Sequence, residues 1–182
     1  MKLVKPLNLF NELLKKNPSK RGRFLGLCIN EQHVDLAVSD PDNLYAVPLS
    51  VIHRHEGSMD LMADKFQTLI SEHNLAGFVI DSPYRTNSTR CDSGAIKNFI
   101  FDLLITRKFP GLKYTFWSDQ IATKHMDFVV EHNVKFILED LNLSQLDPKE
   151  IVDKFAAARL LQGYLDCVHT SVELDKKADF HK

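Results

Sequence analysis

Phe24-Leu25-Gly26-Leu27-Cys28-Ile29, followed by apolar segments at 34–38 and 44–52, decides the fold of this chain. Two turn signals divide the segments. Asn30-Glu31-Gln32 supplies an asparagine, which tolerates a left-handed backbone better than most residues. Asp40-Pro41-Asp42-Asn43 is a stronger break still. Strands joined by such short turns form an antiparallel meander. Beyond it the pattern changes to alternation. Gly57-Ser58 opens a helix carrying Leu61, Met62, Lys65, Phe66, Leu69 and Ile70 at helical spacing. Phe78-Val79-Ile80 is continuously apolar, as a central strand covered on both faces should be. A polar loop at 83–91 leads to a helix at 95–105, which Pro110-Gly111 breaks before the strand Tyr114-Thr115-Phe116-Trp117. A helix is expected at 121–131 and a mobile acidic loop at 139–145. The last helix starts with Asp147 as N-cap, Pro148 next and Glu150 in capping-box position, and runs to about Val168.

These elements predict an α/β fold: a mixed five-stranded sheet, three antiparallel strands then parallel ones, with helices on both faces. Three regions follow: a basic extension at 1–22 with a short amphipathic helix, one domain at 23–168, and a frayed tail at 169–182. The extension holds Lys2, Lys5, Lys15, Lys16, Lys20 and Arg21, with Arg23 just beyond, against Glu12 alone. Its Leu9, Phe10, Leu13 and Leu14 make one apolar stripe. Such a helix could dock on the domain, but contact with RNA phosphates or plain solvation is the expectation, the two about equally.

Composition narrows the function. The 182 residues are 44% hydrophobic and 26% charged, which suits one globular domain with a full core. A net charge of −1 gives no global attraction to nucleic acid, so any basic surface must be local. Cys28, Cys91 and Cys167 are too few and too scattered for a disulfide framework or zinc site, which suits a reducing compartment such as the cytoplasm. The basic start leaves a chloroplast or mitochondrial address as the alternative, although Ser19 is its single serine and no apolar signal core follows. His53 and His55 alternate as one exposed strand face does. No apolar run approaches the ~20 residues that span a bilayer, so no membrane partner is expected.

In open α/β sheets, sites lie outside the carboxyl ends of the strands. Asp81 follows the strand ending at Ile80, Asp119 follows Trp117 after one serine, and Asp153 aligns with Ala156, Ala157 and Leu160 on the last helix. Three carboxylates converging there would repel one another unless a divalent cation joined them. Each also has an ordinary role open to it: a turn for Asp81, a helix cap for Asp119, a solvated first-turn acid for Asp153.

Several short motifs recur in fixed order from about Arg23 to Val168. They are Gly26-Leu27-Cys28-Ile29-Asn30, Ala37-Val38-Ser39-Asp40, Asp81-Ser82-Pro83 with Asn87-Ser88-Thr89, and Ser118-Asp119-Gln120-Ile121-Ala122-Thr123. The last helix adds Asp153, Ala156, Ala157 and Leu161-Gln162-Gly163-Tyr164-Leu165. In this series the chain resembles the YqgF/RuvX family of RNase H-like nucleases. The resemblance implies a metal-dependent phosphodiester hydrolase for structured RNA such as pre-rRNA, or for branched DNA such as a Holliday junction. It implies Mg²⁺ or Mn²⁺ if the protein is active, no cofactor otherwise, and leaves a homodimer open.

The resemblance also exposes substitutions. Cys28 stands where the family has the aspartate expected to bridge two ions, and a thiol is a poor ligand for a hard cation. Asp119 replaces a glutamate, drawing its oxygens back by about one C–C bond, ~1.5 Å. Gln120 replaces an arginine, and Asp81 replaces a glycine. Asp119 and Asp153, with Cys28 at the family's aspartate position, are thus the candidate catalytic residues; Asp81, Asp119 and Asp153 are the candidate metal ligands. Tyr84, Arg85, Asn87, Thr89 and Arg90, extended by Lys149 and Lys154, are the candidate nucleic-acid contacts. Two functions follow: an impaired or altered nuclease, or a non-catalytic module that binds RNA or protein.

Overall fold

A computed structural model describes residues 1–54, 57–84, 93–118 and 155–179. In chain order these form β1 (Lys2–Leu3), α1 (Pro6–Leu14), a 3₁₀ turn (Pro18–Lys20), β2 (Arg23–Ile29), β3 (His33–Ser39) and β4 (Ala46–His53). Then come α2 (Met59–His73), β5 (Leu75–Asp81), α3 (Ser93–Ile105), β6 (Lys113–Trp117) and α4 (Ala156–Asp179). The strands make one sheet in the order β1-β6-β5-β2-β3-β4. β2, β3 and β4 pair antiparallel, while β5 runs parallel to β2, β6 to β5 and β1 to β6. The expected mixed sheet is present, and it has six strands rather than five.

The sixth strand comes from the N-terminal segment. Lys2 and Val4 donate to the carbonyls of Leu112 and Tyr114 at 2.8 and 2.9 Å, and the α-amine donates to Phe109 O at 3.1 Å. A two-residue strand has no periodicity to read; only the open edge of β6 selects it. Against the expectation of phosphate contact or solvation, the amphipathic helix is docked, because its apolar stripe finds the core. Leu9, Phe10 and Leu13 of α1 are buried in the main core, and Tyr164 of α4 donates its hydroxyl to Pro6 O at 3.1 Å. Lys113 of β6 pairs with Glu12.

The two faces of the sheet are covered differently. On one, Phe66 of α2 packs against Phe78 of β5 and Phe99 of α3. On the other, Phe24 of β2 meets Phe10 of α1 and Tyr164 of α4. Helix α2 begins at Ser58, whose side chain accepts from Leu61 N, and ends at Asn74 with φ 50°, a left-handed cap. Helix α4 continues to Asp179, beyond the expected end near Val168, and buries Val168 and part of Val172. The helix expected at 121–131 and the N-cap expected at Asp147 lie outside the described residues.

Candidate active-site edge of the sheet

β2, β5 and β6 all end at one edge, and alternation along each strand decides which face its last side chains take. Gly26 marks the face of α4: a Cβ there would lie 2.8 Å from Leu161 Cβ and 2.9 Å from Ala157 O. Cys28, two residues on, shares that face. Val79 is the register partner of Gly26, so Asp81 shares it too, and Trp117 is the partner of Asp81. Trp117 confirms the direction by meeting the Tyr164 ring edge-on at 5.8 Å. Cys28, Asp81 and Trp117 therefore sit at the carboxyl ends of three neighbouring strands on the α4 side.

Each is enclosed. Cys28 is 6% exposed and belongs to the hydrophobic core, and Asp81 is 3% exposed. Asp81 Oδ1 accepts the Ser82 N–H at 2.8 Å, and Ser82 N–H also reaches Trp117 O at 3.0 Å, which ties the ends of β5 and β6 together. A buried carboxylate at a strand end is costly unless such donors surround it. Trp117 Nε1 and Ser118 Oγ are buried here with no hydrogen-bond partner among the described residues. These are two donors the sheet itself does not use.

One residue that sequence reading missed stands beside Cys28. Asp35 of β3 is its antiparallel register partner and is buried. Its Oδ1 lies 3.3 Å from His33 Nε2, and His33 in turn lies 2.8 Å from Asn30 Nδ2 in the β2–β3 turn. The available signal was an acid inside an otherwise apolar strand. Arg54 completes this corner by donating to Asn30 O at 2.7 Å while its guanidinium lies over the Phe99 ring.

Tyr84 is 72% exposed, so its ring is free to stack. It meets Phe116 edge-on, and Lys97 of α3 sits 5.2 Å from its centroid. Phe116 is the register partner of Ile80, one residue off the Asp81–Trp117 pair, so Tyr84 lies toward α3 rather than α4. Lys97 was missed in the sequence because it reads as an ordinary outer position of an amphipathic helix. Asp119, Asp153, Arg85, Asn87, Thr89, Arg90, Lys149 and Lys154 lie outside the described residues. Among the described residues no three His, Cys, Asp or Glu side chains converge as metal ligands would.

Comparison with known proteins agrees with this frame. The RuvX family model, described as Holliday junction resolvase, matches residues 22–167. A relative from Carboxydothermus hydrogenoformans is 31% identical over 145 residues, 79% of this chain and 96% of its own. One from Leuconostoc mesenteroides is 29% identical over 145 residues, covering 79% and 94%. One from Latilactobacillus sakei is 25% identical over 144 residues, covering 79% and 92%. All three bear the name "Putative pre-16S rRNA nuclease".

Proposed function

Because this chain belongs to the RuvX family, we propose that it is a nuclease-fold protein of pre-16S rRNA processing whose hydrolytic step is impaired at Cys28. The observation that carries the proposal is the place of Cys28. It occupies the carboxyl end of β2, on the same face as Asp81, where the motif series has its first acid. The donor chemistry fits a hard divalent ion only partly. Asp81 offers oxygen at a buried edge, whereas Cys28 offers sulfur, which Mg²⁺ and Mn²⁺ accept poorly.

In this reading Asp81, Asp119 and Asp153 hold the ion and Cys28 does not. A bound Mg²⁺ or Mn²⁺ would supply water activation and neutralise charge on the leaving oxygen. The chain's own residues do the rest. Tyr84 offers an exposed ring for a base, and Lys97 beside it offers a cation for the adjoining phosphate. Arg85, Asn87, Thr89 and Arg90, which follow Tyr84 in the sequence, and Lys149 and Lys154, on either side of Asp153 in the sequence, are the further nucleic-acid contacts of this reading. The apolar packing around Cys28 favours a second reading, in which catalysis is absent and the same surface only binds RNA.

The test compares wild type, Cys28→Asp and Asp153→Asn for Mg²⁺- and Mn²⁺-dependent cleavage of a structured pre-rRNA fragment and a four-way DNA junction. Mn²⁺ binding is followed by calorimetry in parallel. Cys28→Asp should raise cleavage by at least about 100-fold, because even outer-shell ligand partners are worth 10–100-fold. It should also tighten Mn²⁺ binding. Vigorous wild-type cleavage that Asp153→Asn abolishes would overturn the impairment. Wild-type RNA binding without cleavage, unchanged in Cys28→Asp, would leave the binding module instead.

A further inference from the structure

The family match covers residues 22–167, and the segments on either side of it meet. Phe10 of α1 and His169 of α4 pack edge to face at 4.8 Å, and His169 also bonds Asn43 O at 2.8 Å in the β3–β4 turn. These additions build a surface at the amino edge of the sheet. A seven-residue strand such as β2 separates that edge from Cys28 and Asp81 by about 20 Å.

Charge is concentrated there. Residues 1–23 carry Lys2, Lys5, Lys15, Lys16, Lys20, Arg21 and Arg23 against Glu12, in a chain whose net charge is −1, so the remainder is acidic. Glu12 is occupied by Lys113. Lys15, Lys16 and Lys20 are exposed and held in a fixed run by the Pro18–Lys20 turn. Arg21 shapes the run by donating to Leu14 O and Lys16 O, both at 3.3 Å. Asp40 at this edge is taken up by the Leu44 and Tyr45 amides; Asp42 and Glu72 are the exposed acids of the neighbouring turns.

We infer that the Lys15-Lys16-Lys20 surface is a second RNA-docking face, which grips phosphates of the substrate about 20 Å from the sheet's carboxyl edge. The inference rests on the RNA reading above. A bilayer is the wrong partner, because a membrane-surface helix needs a free apolar face and α1 has spent Leu9, Phe10 and Leu13 in the core. Leu44 and Tyr45 of the β3–β4 turn are exposed at the same edge, but the helix that leads into the lysines keeps no free apolar face, and geometrically fixed cations fit a polyanion read by its backbone.

The experiment measures fluorescence anisotropy of a labelled structured RNA against salt, for wild type, Lys15→Gln/Lys16→Gln/Lys20→Gln and Tyr84→Ala. Thermal unfolding verifies each fold. Loss of three phosphate contacts should weaken binding by at least about tenfold and reduce the slope of log K against log salt by about two to three. If the triple variant keeps the wild-type affinity and slope while Tyr84→Ala weakens binding, the second face is wrong and the RNA reading stands. A wild type with no affinity for RNA overturns both. Equal lysine-dependent binding to phosphatidylglycerol vesicles, without RNA binding, overturns the choice of partner.

Discussion

The two edges of this sheet were built by different rules. The carboxyl edge carries Cys28, Asp35, Asp81 and Trp117, polar or reactive groups placed by strand alternation inside the part of the chain that matches its family. At the amino edge, segments outside that match dock on it through aromatic packing, Phe10 against Phe24 and His169, and Phe24 against Tyr164. Tyr164 links the two edges, because its ring also meets Trp117. A cysteine packs as a small hydrophobe, and Cys28 sits in the core as one.

Four substitutions break or sharpen this comparison. The largest effect is expected at Phe10, which is 1% exposed. Phe10→Ala should lower stability by about 3–5 kcal/mol in urea unfolding. A loss below about 1 kcal/mol would mean that α1 is an appendage after all.

Gly26→Ala tests the dependence of one edge on the other. The new Cβ meets Ala157 O and Leu161 Cβ below 3 Å, so α4 must move off β2. A loss of about 1–3 kcal/mol is expected, and, if the proposed role of Asp153 just upstream of α4 in the sequence is right, weakened Mn²⁺ binding with it. Unchanged metal binding at reduced stability would show that the carboxyl edge tolerates the shift.

Tyr164→Phe removes the hydroxyl that α4 donates to Pro6 O, and about 1 kcal/mol should go with it. Burial raises this phenol above its ordinary value near 10. Its contribution is therefore complete below about pH 10 and is lost as pH rises further, since the unfolded phenol ionises first. The wild type should lose urea resistance above that pH, and the variant should lose less. Parallel alkaline limbs in the two proteins would remove Tyr164 from the explanation.

Lys113→Met should have the smallest effect. The Lys113 hydrogen bond, together with nearby lysines, holds the Glu12 carboxyl below its usual range. What the pair adds is present above the ordinary carboxylate value near 4.5 and disappears as pH falls through the lowered one. Because the pair faces water, melting at pH 7 should match the wild type within error. A fall comparable to that of Tyr164→Phe would show that the strap on β6 is electrostatic rather than apolar.

Much of the carboxyl edge was legible in advance, for physical reasons that can be named. Apolar runs at 24–29 and 78–80 mark strands buried on both sides, and an acid just after such a run must sit at the sheet's edge; Asp81 does. Asp35 was harder, because one acid in a run of strand residues does not announce which face it takes until the Cys28 register is known. Lys97 was harder still. It looked like any outward helical lysine, and only the approach of the Tyr84 ring makes it part of a surface. Asp119 and Asp153 rest on their place after a strand and on a helical stripe, together with motif order, and lie outside the described residues.

By itself the sequence determined the order of the strands from β2 to β6, their mixed pairing and the presence of a cysteine near the end of β2. Those properties follow from local pattern: residue alternation, turn chemistry and the identity of one side chain. Only the tertiary structure decided that residues 1–14 belong to the core, that α4 extends to Asp179, and that Asp35 faces the same side as Cys28. Each of these depends on a partner far away in sequence, an open β6 edge, a Phe10–His169 contact or a cross-strand register. Such partners leave no periodic trace in the chain, because they are selected by the surface the folded core leaves to be covered.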